Sequence, residues 1–108
     1  LNCYGSETTL FQGNLIERGG ASGVQAAIEV RGRCKLIGNQ VAGFDEKDAA
    51  ALALFADRFG KPCGNVYRGN IVERCSVAVS ESVPGSWAVS DTKDNEFVEC
   101  GSVPAAGK

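Results

Sequence analysis

The sequence predicts an α+β fold, an α/β sandwich in which an antiparallel sheet carries one or two helices packed on one face. Three observations lead there. Val24, Ala26, Ile28 and Val30 alternate with other residues in the manner of a half-buried strand. Residues 49–59 combine high helix propensity with Leu52, Phe55 and Phe59 at helical spacing. Turn signals at Gly38-Asn39 and Pro84-Gly85 separate further short apolar runs. A chain of 108 residues holds one hydrophobic core, so residues 1–108 are read as a single domain. No internal repeat and no composition break are evident in it.

Taken in order, residues 8–18 read as a short helix, 19–23 as a loop and 24–30 as the first strand. A second strand over 33–44 bends near Gly38 and Asn39. Asp45 caps a helix over 45–59, with Asp48 in its first turn, where a carboxylate suits the helix dipole. Gly60 supplies a left-handed end and Pro62 blocks continuation. In a third strand Cys75, Val77 and Val79 face one way, against Ser76, Ala78 and Ser80. Pro84-Gly85 turns the chain into a weaker strand over 86–90, residues 96–100 add another, and 103–108 form a frayed tail. Leu52, Phe55 and Phe59 are expected to pack on the sheet made by residues 24–43 and 71–80.

Composition narrows the function. Eleven basic and thirteen acidic side chains give a formal charge of −2, which argues against nucleic acid as a partner. No apolar run approaches the roughly 18 residues of a membrane helix, so the chain is not itself expected to be a membrane protein. Histidine is absent, which removes the usual catalytic triads and zinc sites. No enzyme activity, metal or cofactor is therefore expected. Asp91, Asp94, Glu96 and Glu99 lack the glycine and spacing of a calcium loop. A small carboxylate-based hydrolase is the minor alternative, disfavoured because so short a chain offers little cleft for a polymer.

Cys3, Cys34, Cys63, Cys75 and Cys100 contain no C-x-x-C pair. Widely spaced cysteines in a small chain fit two disulfides in an oxidising compartment, with one cysteine left over. The chain begins at Leu1 and has no methionine, as a processed secreted protein would. Secretion is the expected localisation. The most informative charge pattern is Arg31, Arg33 and Lys35, which at period two project from one face of an extended segment while Cys34 points the other way. This stripe is the candidate target-binding site, facing acidic groups on a membrane protein or other surface target of a susceptible cell.

The order of motifs resembles a known family. Asn2-Cys3-Tyr4-Gly5-Ser6, Gly13-Asn14-Leu15, Gly38-Asn39, Cys63-Gly64, and Gly69-Asn70 leading into residues 75–79 are similar to the small secreted fungal killer toxins typified by the virally encoded, calcium-channel-blocking toxin of a smut fungus. The resemblance covers residues 2–83 and leaves 83–108 as an extra C-terminal segment. It implies an antiparallel sheet with two helices on one face, and a secreted toxin or effector that inhibits calcium uptake by other cells. It places Arg33 where those toxins carry a basic residue associated with activity. It also implies a Cys3–Cys63 disulfide, tying the first segment to the loop after the second helix. Cys34 and Cys75, each on the inner face of a strand, are then expected to pair. Cys100 is left as a free thiol or as the link of a dimer; otherwise the protein is expected to be a monomer. A secreted inhibitory or structural binding module without toxin activity is the alternative.

Overall fold

The computed structural model describes residues 1–3, 8–18, 26–57 and 59–104, and among them there is no helix. The chain winds through three short strands per coil. The first coil holds β1 (Asn2–Cys3), β2 (Thr9–Gln12) and β3 (Leu15–Glu17), and the second β4 (Ala26–Val30), β5 (Cys34–Ile37) and β6 (Gln40–Ala42). The third holds β7 (Ala50–Leu54), β8 (Val66–Arg68) and β9 (Ile71–Glu73). The fourth holds β10 (Val77–Glu81) and β11 (Glu96–Val98), with Asp91 in place of a middle strand through a single bridge to Val66. Successive coils stack into three sheets, β1-β4-β7-β10, β2-β5-β8 and β3-β6-β9-β11, and every pairing is parallel. This is a parallel β-solenoid, in which each coil buries its apolar face only by stacking on the next.

The antiparallel α/β sandwich is thus overturned, and the Gly-Asn pairs show why. Gly13, Gly38 and Gly69 have φ of 67°, 63° and 64°, and Asp94 takes the same left-handed conformation at 62°. Each turns the chain from the second sheet into the third, and each is followed by an asparagine whose side chain points inward. Asn39 Oδ1 accepts from Asn14 N and Nδ2 at 2.9 and 3.0 Å, and Asn70 Oδ1 from Asn39 N and Nδ2 at 2.9 and 3.1 Å. Asn95 Oδ1 accepts from Asn70 N and Nδ2 at 3.0 and 2.9 Å. The Nδ2 groups of Asn39, Asn70 and Asn95 also donate backwards, to the carbonyls of Phe11, Leu36 and Tyr67. The ladder steps along the chain by 25, 31 and 25 residues, a repeat that unequal spacing hides. Adding a Cβ at Gly38 meets nothing within 4 Å. Gly38→Ala is therefore expected to cost only the left-handed strain, about 1 kcal/mol in chemical denaturation, and Gly38→Asp less, since Asp94 already fills that position.

The expected helix over 45–59 is replaced by a strand and a loop. β7 lies between β4 and β10, with Leu52 in register with Ile28 on one side and Val79 on the other. All five of its residues are buried. A run buried on both faces carries no alternation, and its alanines mimic helix propensity, which stacking overrides. Leu52 is core, as expected; Phe55 is only half-buried and Phe59 is 70% exposed at a loop tip. Gly60 is left-handed at 75°, but within a turn in which its N–H donates to Asp57 O. The acidic cluster meets an arginine instead of a helix dipole: Arg18 pairs with Glu46 and lies 3.6 Å from Asp45.

Other elements shift in the same sense. Residues 8–18 are β2 and β3, not a helix. The strand over 33–44 divides at the Gly38-Asn39 corner into β5 and β6, which belong to different sheets. Residues 86–90 follow Pro84-Gly85 as consecutive turns and not as a strand. In β4 and β10 adjacent residues, Ala27 with Ile28 and Ala78 with Val79, are both buried, so the simple alternation expected over 75–80 fails. The loop expected over 19–23, the strand start at 24–25, the tail over 105–108 and residues 4–6 of the opening motif lie outside the described residues. Inside the coils, Phe11, Leu36 and Tyr67 share one register of the second sheet and Ile16, Val41, Val72 and Phe97 one register of the third. Trp87 enters this core from the 82–90 segment, stacked on Tyr67 at 5.4 Å between ring centres and edge-on to Phe97 at 5.9 Å.

Candidate anion-binding face

The solenoid sorts its surface charge by sheet. Outward positions of the third sheet carry Glu17, Glu73 and Glu96. Those of the second sheet, with the residues that flank it, carry Arg33, Lys35, Arg68 and Lys93, all exposed. Asp91 also lies on the second side, paired with Arg68, and Arg74 stands beside Glu73 on the third, so the second side carries an excess of cations and not cations alone.

Insertions gather at one corner. The first sheet passes to the second through residues 31–33 in the second coil, but through 55–65 in the third and 82–90 in the fourth. Insertions on one face of a repeat protein build a wall beside the sheet they flank, often its binding face. Here the wall borders the basic side. Between them lies a cleft of about 190 Å³ lined by Thr8, Arg33, Lys35, Gly64, Asn65 and Val66. Asn65 is buried and fully engaged: Oδ1 accepts from Cys34 N at 2.9 Å, and Nδ2 donates to Gly32 O and Tyr67 Oη. Its own N–H donates to Ser90 Oγ at 2.9 Å. This network holds the third and fourth coils against the strand that bears Lys35, so the floor is rigid while the cations at its rim reach solvent.

The expected stripe is only partly brought together. Arg33 and Lys35 both line the cleft, and Cys34 between them is buried, as period two requires. Arg31 stands at the corner instead, 3.2 Å from Glu29 Oε2, with its guanidinium 3.7 Å from the centre of the Phe55 ring. The chain turns between 31 and 33, so the two arginines belong to different faces. Arg68 pairs with Asp91, and the guanidinium holds that carboxyl below its ordinary range. Thr8, Asn65, Arg68 and Lys93 are additions that sequence reading missed. The signal that finds them is distance from the corner asparagines. Thr8, Arg33 and Gly64 each stand six residues before one, Cys34 and Asn65 five before, Lys35 and Val66 four before, and Arg68 and Lys93 two before.

Of the cysteines expected to pair, Cys34 opens β5 in the second sheet and Cys75 lies at the corner after β9. The two residues belong to different sides of the solenoid, which no strand-face argument foresees when the sheets are parallel and stacked. The side chain of Cys3 lies outside the described residues, and with it the Cys3–Cys63 bridge. Cys100 has a free thiol and is half-buried against the core.

No protein-family model, curated protein or solved structure matches the chain. The Gly-Asn pairs behind the resemblance to fungal killer toxins are the corners of the solenoid, and the antiparallel sheet with helices that it implies is not the fold adopted. No helix among the described residues is long and apolar enough to cross a membrane.

Proposed function

We propose that this protein is a non-catalytic binding module, acting outside the cell that makes it, whose basic side takes an anionic ligand on another cell or in its surroundings. The observation that carries the reading is the position of Arg33 and Lys35. They are exposed cations two residues apart on one coil, lining the same hydrogen-bonded cleft at the corner where the coil insertions gather. Fixed charges on a stiff strand lose little conformational freedom when a ligand arrives, which favours selectivity and fast encounter. Lys93 extends the positive field along the solenoid axis beyond the Arg68–Asp91 pair, toward a ligand with repeated carboxylate or sulfate groups. Inhibition of calcium uptake in susceptible cells is the narrower form of this reading and depends on the same two residues.

The test is retention on an immobilised acidic polysaccharide, read as a salt-dependent affinity. Charge reversal at both Arg33 and Lys35 is expected to weaken binding about tenfold or more. It should move Tm by no more than a few degrees, because exposed charges contribute little to stability. Unchanged retention of the double variant would remove the basic side as the binding face. A calcium-influx assay on susceptible cells decides the narrower form separately.

A further inference from the structure

Residues five positions after the corner asparagines also stack. Phe44, Cys75 and Cys100 follow Asn39, Asn70 and Asn95 at that interval. Backbone bonds lock the register: Ser76 N donates to Phe44 O at 2.9 Å, Arg74 N to Val98 O at 2.9 Å, and Gly101 N to Cys75 O at 3.1 Å. Cys100 therefore lies over Cys75 in the next coil, about one inter-strand spacing of ~4.8 Å away along the axis. That separation falls within the range of Cα distances that a disulfide spans. The sulfurs converge as well. Cys100 Sγ lies 3.4 Å from Val72 O, a carbonyl of the coil below it, and Cys75 Sγ lies 3.3 Å from the adjacent carbonyl, Glu73 O.

We infer that Cys75 and Cys100 form a disulfide between the third and fourth coils when the protein meets an oxidising, disulfide-containing environment. The oxidant is a low-molecular-weight disulfide such as oxidised glutathione. Cys100, the more accessible of the two, attacks one of its sulfurs; the first thiol leaves and a mixed disulfide remains on Cys100. Cys75 then attacks the Cys100 sulfur and the second thiol leaves. Two protein thiols give up two electrons and two protons, and the oxidant becomes two thiols. Burial beside Cys100 pushes the Cys75 thiol up, which keeps it neutral and makes it the resolving partner and not the first nucleophile. The bond would pin the fourth coil, which supplies Ser90 beneath the cleft and Trp87 to the core, onto the third.

Wild-type protein equilibrated across a series of reduced-to-oxidised glutathione ratios, then alkylated and digested with trypsin without reduction, tests this. Cleavage after Arg74 and Lys93 places the two cysteines on separate peptides, 75–93 and 94–108. The expected product is those two peptides joined, in monomeric protein, with Tm higher than that of the reduced form by on the order of 10 °C. In Cys100→Ser the joined peptides should be absent and the Tm gain at the oxidising end smaller by about that amount. Alkylation of both residues at the oxidising end, or a bond from either to another cysteine or to a second chain, would overturn the inference.

Discussion

Asn70→Ala is expected to lower the stability of the fold by about 3 kcal/mol, a fall of roughly 15 °C in Tm for a domain of this size. Asn70 is 3% exposed and stands in the middle of the ladder. Its Oδ1 accepts from Asn39 N and Nδ2, and its Nδ2 donates to Leu36 O and Asn95 Oδ1. Alanine leaves the Asn39 N–H and the Leu36 carbonyl buried without those partners, and each such group costs roughly 1–3 kcal/mol. The ladder provides its own control. Among the described residues the Asn14 side chain contributes only its Nδ2 bond to Asn39 Oδ1, which keeps Asn14 N as a donor, so Asn14→Ala should cost about 1 kcal/mol or less. Urea midpoints for the two variants decide the matter: equal losses would mean that the ladder does not act as a stack.

Trp87→Ala is expected to cost about 3–5 kcal/mol, the range for removing a large buried aromatic. Trp87 is 4% exposed, lies parallel to Tyr67 with 2° between the rings, and meets Phe97 edge-on. It fills the interior of the fourth coil, where Asp91 forms only a single bridge in place of a middle strand. Its removal therefore opens a cavity above Tyr67. Trp87→Phe should be much milder, about 1 kcal/mol. It keeps a ring against Tyr67 and removes an indole Nε1 that is buried without a partner among the described residues. Thermal melts followed by circular dichroism give both numbers, and a loss below about 1 kcal/mol for alanine would place Trp87 outside the core.

Much of the local structure was legible. The opposed directions of Cys34 and Lys35 follow from period two and the turn at Pro84-Gly85 from turn chemistry, and the strand read over 24–30 is present over its described part, Ala26–Val30. The candidate site was legible in part, because Arg33 directly precedes β5 and alternation through Cys34 and Lys35 holds there. Arg31 was misplaced because two residues at a corner redirect the chain, and alternation does not cross a corner.

The helix was the costly error. Leu52, Phe55 and Phe59 satisfy a helical period, yet Ala50–Leu54 is central in its sheet, flanked by β4 and β10. Which period governs such a run depends on neighbours 24 and more residues away, and no window along the chain contains them. The repeat was hidden for a related reason: the insertion over 55–65 stretches one interval, and the fourth corner replaces glycine with Asp94.

By itself the sequence determined where the chain turns, which short segments extend, and which residue types are on hand for binding. Those are consequences of φ preferences, side-chain alternation and composition, all local properties. Only the tertiary structure decided that the strands run parallel, that the four asparagines form one ladder, and that Cys75 lies beneath Cys100 and not beside Cys34. These depend on register between coils, and register is set by which apolar and amide side chains satisfy one another across 25 to 31 residues of intervening chain.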